Sequence, residues 1–212
     1  METIQLSEVG VEAVALRAAE VLRAGGVVLY PTDTLYGLGA DALSDVAVAK
    51  VKRIKGRDEG KPIHAVLEDV DAADEFAVMN DTANILAKTF WPGALTLVVK
   101  KKPGITTGIG RDIDTFGIRV PNHAFCRALA REFGGPYTGT SANRSGERPL
   151  RDVESIRAQL GEAAGEIDLI IDAGELPERP ASTVVDVQNE PVILRVGAIA
   201  SGEIWDAVRA EL

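Results

Sequence analysis

Short apolar runs bounded by glycine or proline alternate with longer stretches of helical periodicity along this chain, and that interleaving restricts the fold more than any other feature. The runs are Val27 to Tyr30, Ile63 to Leu67, Leu95 to Val99, Thr115 to Val120, Tyr137 to Thr140, Leu169 to Ile171, Thr183 to Val187 and Val192 to Val196. Each is too short for an ordinary helix and carries the punctuation of a strand. Helices are predicted around Ala83 to Phe90, His123 to Phe133, Val153 to Leu160 and Glu203 to Glu211. Two more come earlier. Ser7 caps a segment whose Val11, Val14, Ala18, Val21 and Leu22 share one face and which closes at Gly25 and Gly26. Ser44 opens a helix that ends by Gly56, with Ala47, Val51 and Ile54 toward the core. Interleaved elements of this kind give an α/β protein, and their spacing is less regular than repeated βαβ units, so the sheet is expected to be mixed, with helical cover.

A chain of 212 residues with 46% hydrophobic and 26% charged residues can bury one sizeable core. We expect a single domain over 1–212. The glycine- and proline-rich stretches at 31–41, 103–111, 144–149 and 173–181 read as connections within it, not as linkers. The first residues lack the basic and apolar regions of a signal peptide, and no stretch approaches a membrane span, so no membrane association is expected. Cys126 is the only cysteine, which excludes an intramolecular disulfide and a cysteine-based metal cluster and suits a reducing cytoplasm. The net charge of -9 argues against a dedicated nucleic-acid binder.

Three segments could carry chemistry. Pro31-Thr32-Asp33-Thr34-Leu35-Tyr36-Gly37-Leu38-Gly39 gathers hydroxyls, a carboxylate and a phenol after a strand, either to line a cleft or to close an ordinary turn. From Lys50 to Lys61 six cationic residues face only Asp58 and Glu59; they form either a solvated helix face or an anion site. In the second case Lys55 and Lys61 act as point charges and Arg57 as a planar fork. Ser141-Ala142-Asn143 places a hydroxyl and an amide at a strand end, again a turn or a binding group. No Walker loop and no G-x-G-x-x-G is present, so side chains would have to do the phosphate binding. There is no G-x-S-x-G elbow, and His64, His123 and Cys126 read as structural.

The ordered motifs resemble the YrdC family of threonylcarbamoyl-adenylate synthases from about Gly26 to Ile199. They are P-T-D-T-L-Y-G-L, Lys55-Gly56-Arg57 with Lys61-Pro62, W-P-G-A-L-T-L-V, Arg119-Val120-Pro121, Thr140-Ser141-Ala142-Asn143 with Ser145-Gly146, Ala181-Ser182-Thr183-Val184-Val185-Asp186, and Leu194-Arg195-Val196-Gly197-Ala198-Ile199. The resemblance implies a twisted mixed α/β sheet with a concave basic cavity. It implies that Lys55, Arg57, Lys61, Thr115, Ser141, Asn143 and Arg195 bind ATP and that Thr34, Arg119 and Ser182 bind threonine. It further implies a nucleotidyltransferase that makes threonylcarbamoyl-AMP and pyrophosphate from L-threonine, bicarbonate and ATP, with Mg2+ arriving on ATP and no covalent enzyme intermediate. The product would pass to the tRNA threonylcarbamoyl-transfer machinery.

Two other functions stay open at this point: a double-stranded RNA or tRNA binding module, with weak RNA binding, and a carbamoyltransferase related to hydrogenase maturation proteins. The chain departs from the family at Asp58, where many relatives have proline, and at Val66, where long-form relatives can carry histidine. It also stops at Leu212, so the long form's C-terminal domain is not expected in it.

Overall fold

The computed structural model describes residues 2–57 and 63–210, so the expectations attached to Asp58 and Lys61 lie outside the described residues. A larger sheet contains β4 (His64–Val66), β5 (Ala77–Val78), β6 (Leu95–Lys101), β7 (Thr115–Arg119), β8 (Tyr137–Gly139), β10 (Thr183–Asp186) and β11 (Val192–Arg195). Its order is β11-β10-β6-β7-β4-β8, with β5 beside β6. A smaller sheet runs β1 (Glu2–Gln5), β9 (Leu169–Asp172), β2 (Val28–Tyr30), β3 (Gly37–Gly39). Both are mixed: β10 and β6, β4 and β7, and β1, β9 and β2 pair in parallel, the other neighbours antiparallel. The two sheets meet where β3 runs beside β8, through Leu38 N–H to Thr140 O (2.9 Å) and Thr138 N–H to Ala40 O (2.8 Å).

Strand alternation divides the larger sheet into two chemically different faces. Leu95, Leu97 and Val99, Ala65, Phe116 and Ile118, and Val185 all point into one apolar core with Ala47, Val51 and Ile54 of α3 (Asp45–Lys55), Leu86 of α5 (Asp81–Phe90) and Ile204 of α8 (Ser201–Ala210). The residues between them, Thr96 and Val98, His64 and Val66, Gly117 and Arg119, and Val184, therefore face the other way. Part of that second side is closed by α2 (Val11–Arg23) packed on α6 (Ala124–Phe133), in a separate core with Tyr30, Val66 and Tyr137.

Helix ends follow the local chemistry. Ser44 Oγ accepts from Ala47 N–H at 3.3 Å, Asp45 lies in the first turn, Lys52, Arg53 and Lys55 in the last, and Gly56 closes α3 in the left-handed region. This stop delivers Lys55 and Arg57 to the far side of the sheet. Asn80 and Asp152 cap α5 and α7 (Val153–Leu160) in the same way.

Several elements differ from the sequence reading: residues 73–78, to which the pattern assigns no element, form a short helix (Ala73–Phe76) and β5, and three further differences have a local cause. The first helix is two, α1 (Leu6–Val9) and α2, parted at Gly10 with φ 89° and ψ 152°. A helical face continuing across the break hid that glycine. Residues 2–5 form an edge strand whose polar, exposed sequence shows no strand signal, because its stability comes from the partner β9. Within the expected 31–41 loop, Gly-Leu-Gly forms β3, although glycine weakens strands. Here a close approach requires it: a Cβ on Gly37 would stand 2.9 Å from Tyr30 Cζ. The Tyr30 ring is fixed by an edge contact to Tyr137, with centroids 5.4 Å apart.

Gly37→Ala should therefore cost about 1–3 kcal/mol of unfolding free energy in urea, since the buried ring has no room to yield. Gly165→Ala, where an added Cβ meets nothing within 4 Å, should stay within about 0.5 kcal/mol of wild type.

Candidate active site

A cavity of about 310 Å³ opens on the non-core face of the larger sheet. Its floor is two rows of residues across the strands. Gly139, His64, Gly117 and Val98 form one; Val66, Arg119, Thr96 and Val184 form the next. Its rim is built from the segment after β2 (Thr32 to Gly37), Arg57 after α3, Thr140 and Ser141 after β8, Ala181 and Ser182 before β10, and Arg195 at the end of β11.

One end is organised around Arg119, which is only 4% exposed. Its Nη2 donates to Asp33 Oδ1 at 2.5 Å, Nη1 to Thr34 Oγ1 at 3.0 Å, and Nε to Gly93 O at 3.0 Å in the W-P-G turn. The loop is braced from within: Thr32 Oγ1 accepts from Thr34 N–H and Leu35 N–H and donates to Leu35 O. The two sequence readings of this segment thus divide between residues, Thr32 closing the turn while Asp33 and Thr34 reach the cation. Tyr36 anchors the far side, donating to Gly174 O at 2.8 Å and accepting from Ala173 N–H at 2.9 Å, with its pKa pushed up to about 12 by burial. Cys126 lies beneath, donating to Pro31 O at 3.3 Å, its thiol raised to about 12 by burial. That fits its reading as a small buried hydrophobe.

The other end is cationic. Arg195 donates through Nε and Nη2 to Ser182 O (3.2 and 2.9 Å), and Ser182 Oγ lies 2.9 Å from Thr96 Oγ1. Arg57 Nη1 donates to Thr140 Oγ1 at 3.3 Å. Burial and then the neighbouring guanidinium lower the pKa of both arginines, Arg195 acting on Arg57 and Arg119 on Arg195. Two partly buried cations are thus brought to the same end of the cavity. Lys55 stands behind this wall at 1% exposure, its ammonium donating to Ser141 O, to Asn143 O (2.9 Å) and to Asn143 Oδ1 (3.4 Å). Burial and then Arg57 push it down to about 7. Asn143 in turn accepts from Ser141 Oγ and donates to Arg144 O and Glu147 O, both at 2.8 Å.

The basic run is thereby split. Lys50 pairs with Asp168 (2.6 Å) and Arg53 with Glu166 (2.5 Å) on the outer surface, whereas Lys55 and Arg57 turn to the cavity side. Of the ten site residues expected from sequence, Thr34, Arg57, Arg119, Ser141, Ser182 and Arg195 line one cavity. Lys55 and Asn143 hold its wall from behind, Lys61 lies outside the described residues, and Thr115 begins β7, about 13 Å along the strand from Arg119 at ~3.3 Å per residue. Sequence reasoning missed Asp33 as the partner of Arg119, Thr96, Thr140, and His64 as a cavity residue. The available signal for His64 and Thr96 was alternation: each neighbours residues that must enter the core. Among the described residues no three His, Cys, Asp or Glu side chains are grouped to hold a metal, and no helix is long and apolar enough to cross a membrane.

Comparison with known proteins gives consistent results. Residues 20–197 match the family model Sua5_yciO_yrdC, described as telomere recombination. A relative in Mycobacterium leprae is 38% identical over 193 residues, covering 90% of this chain and 86% of its own length. The threonylcarbamoyl-AMP synthase of Bacillus subtilis is 36% identical over 191 residues, 89% of this chain and 54% of that one. Pyrococcus abyssi Sua5 complexed with L-threonine superposes with a TM-score of 0.85 at 33% identity, covering 98% of this chain. This chain spans 60% of that Sua5 chain.

The environment of His64 sets a pH dependence. Burial, then Arg119, Arg195 and Arg57, lower its pKa from 6.5 to about 3. Below pH 6.5 the unfolded chain takes up a proton that the native chain refuses until about pH 3, so this contribution to stability is present above 6.5 and lost progressively as pH falls to 3. The urea midpoint should therefore fall less between pH 7 and pH 4.5 in His64→Gln than in wild type. His123, lowered by burial in the same sense, leaves part of the slope in place.

Proposed function

The chain belongs to the Sua5/YciO/YrdC family, and on that footing we propose that it is a threonylcarbamoyl-AMP synthase, a nucleotidyltransferase that joins L-threonine, bicarbonate and ATP and releases pyrophosphate. The observation that carries this reading is a single cavity with a buried guanidinium suited to a carboxylate at one end and two partly buried guanidiniums, both lowered in pKa, at the other. Arg119 has five N–H donors, of which three are engaged by Gly93, Thr34 and Asp33. The two remaining can pair with the α-carboxylate of threonine, while Thr34 Oγ1 offers a polar contact beside it and Ser182 Oγ, bonded to Thr96 across from Arg119, one toward the Arg195 side. Arg57, Arg195 and Ser141 receive the phosphates, with Lys55 and Asn143 fixing Ser141.

In the reaction the threonine amine attacks the carbon of bicarbonate. The N–C bond forms, a C–O bond breaks, and the departing hydroxide leaves as water with an amine proton. The resulting carboxylate attacks the α-phosphorus and pyrophosphate departs. No side chain need form a covalent bond; the protein holds two anions together and offsets charge developing on phosphoryl oxygens. Magnesium would supply further charge neutralisation, and because the described residues gather no carboxylate cage it would be carried by the phosphates. The product would feed tRNA modification, and ATP as substrate together with a lone buried thiol fits a cytoplasmic location.

Pyrophosphate release should require all three substrates; equal release without threonine or without bicarbonate would contradict the assignment. Arg119→Lys keeps the charge but not the fork, so it should raise the KM for threonine roughly tenfold or more while the KM for ATP changes less than about twofold. Arg195→Ala should do the reverse. A fall in ATP use alone in Arg119→Lys would move Arg119 to the nucleotide side.

A further inference from the structure

His64 stands on the cavity floor beside the strand of Arg119, near enough to Arg119, Arg195 and Arg57 to feel the charge of all three. Its neighbours across the sheet are Gly139 on β8 and Gly117 on β7. Both glycines are needed for the ring to lie there. A Cβ on Gly139 would stand 2.3 Å from His64 Nε2, and one on Gly117 would stand 2.9 Å from His64 Cβ. The imidazole thus occupies a trough left open by two missing side chains, faces the cavity, and makes no hydrogen bond to another described residue through either nitrogen. Burial, and after it the charges of Arg119, Arg195 and Arg57, keep it neutral, so it presents one N–H donor and one lone-pair acceptor. Polar atoms placed in a cavity wall without protein partners are poised for a ligand.

Position decides which ligand. With the amino-acid carboxylate at Arg119 and the phosphates at Arg57 and Arg195, the reactant between them is the carboxyl group that joins one to the other. We propose that His64 hydrogen-bonds this bicarbonate-derived carboxyl group and holds it between the threonine nitrogen and the α-phosphorus. The inference rests on the synthase reading above. A neutral N–H can orient one carboxyl oxygen without the full charge that would draw electron density from the attacking oxygen. The second ring nitrogen can accept the bicarbonate hydroxyl or the carbamate N–H. The neighbouring position on the same face, Val66, has no polar group, so His64 is the floor residue of β4 that can serve.

The test separates the three substrates. His64→Leu should raise the KM for bicarbonate roughly three- to tenfold, the effect of losing a neutral hydrogen bond. Calorimetric dissociation constants for threonine and ATP should stay within about twofold of wild type. His64→Gln, whose amide reaches toward the Nε2 position, should recover part of the loss. In the wild-type chain, which has two histidines, ring 15N resonances assigned by substitution should shift for His64 when bicarbonate is added with threonine. Urea unfolding at pH 7 checks the fold, and if His64→Leu unfolds, the glutamine variant and the wild-type resonances decide. An unchanged bicarbonate KM in both variants with an unmoved His64 resonance overturns the proposal while the synthase reading stands. Wild-type turnover that ignores bicarbonate removes the synthase reading itself.

Discussion

A guanidinium removed from water has to be surrounded by acceptors, and the placement of Arg119 between Asp33, Thr34 and Gly93 organises the rest of the site. Both partners of the ion pair are nearly dry, Arg119 at 5% and Asp33 at 8% side-chain exposure. Removing one partner of such a pair costs about 3–5 kcal/mol, much of it from the charge left behind. Three distant segments are thereby tied to one point: the loop after β2, the W-P-G turn before β6, and the end of β7. The same loop carries Tyr36, whose phenol fixes the segment at 173–174, and its Asp33 carbonyl accepts from Arg179 at 3.0 Å. Only two of the five donors remain available, and both belong to a side chain that cannot swing away. The result is a fixed, buried fork rather than a mobile surface charge, as the proposed binding of a carboxylate requires.

The sheet provides the second constraint. A strand with helices on one side and a cavity on the other must alternate between residues that exclude water and residues that meet a ligand. Leu95-Thr96-Leu97-Val98-Val99 and Phe116-Gly117-Ile118-Arg119 follow that rule. The apolar set supplies the folding free energy through burial against α3, α5 and α8. The alternate set faces the cavity, although Val66 also packs in the second core and Arg119 is held by its ion pair. Arg57, Arg195 and Lys55 are lowered in pKa by burial before any charge effect, which means the fold carries a cost that an anion would offset.

This division explains what could be read from the sequence. The expected strands and the α3 helix with its Ser44 and Gly56 ends were visible because pattern and capping chemistry are local. The site motifs were visible through resemblance, but their geometry was not. The basic run gave no local indication that Lys50 and Arg53 would pair outward while Lys55 and Arg57 turned inward, since their partners lie at 140–143 and 166–168. β1 and β3 were hidden because their pairing depends on β9 and β2, and Gly10 because the helical pattern continues across it. His64 looked structural in isolation; its role in the cavity wall depends on Gly117 and Gly139, which reach it only through strand register.

If one cavity assembles the nucleophile from two small molecules before it meets ATP, the added carbon must be found in the nucleotide product. Mass spectrometry of the nucleotide product formed from 13C-bicarbonate and threonine tests it directly. Quenched reactions should contain an adenylate heavier than threonyl-AMP by one CO2 unit, with the 13C label in that added carboxyl carbon. An unlabelled adenylate of threonine itself, formed by attack of its own α-carboxylate, would contradict the claim and reassign Arg119 from anchoring that carboxylate to releasing it for reaction.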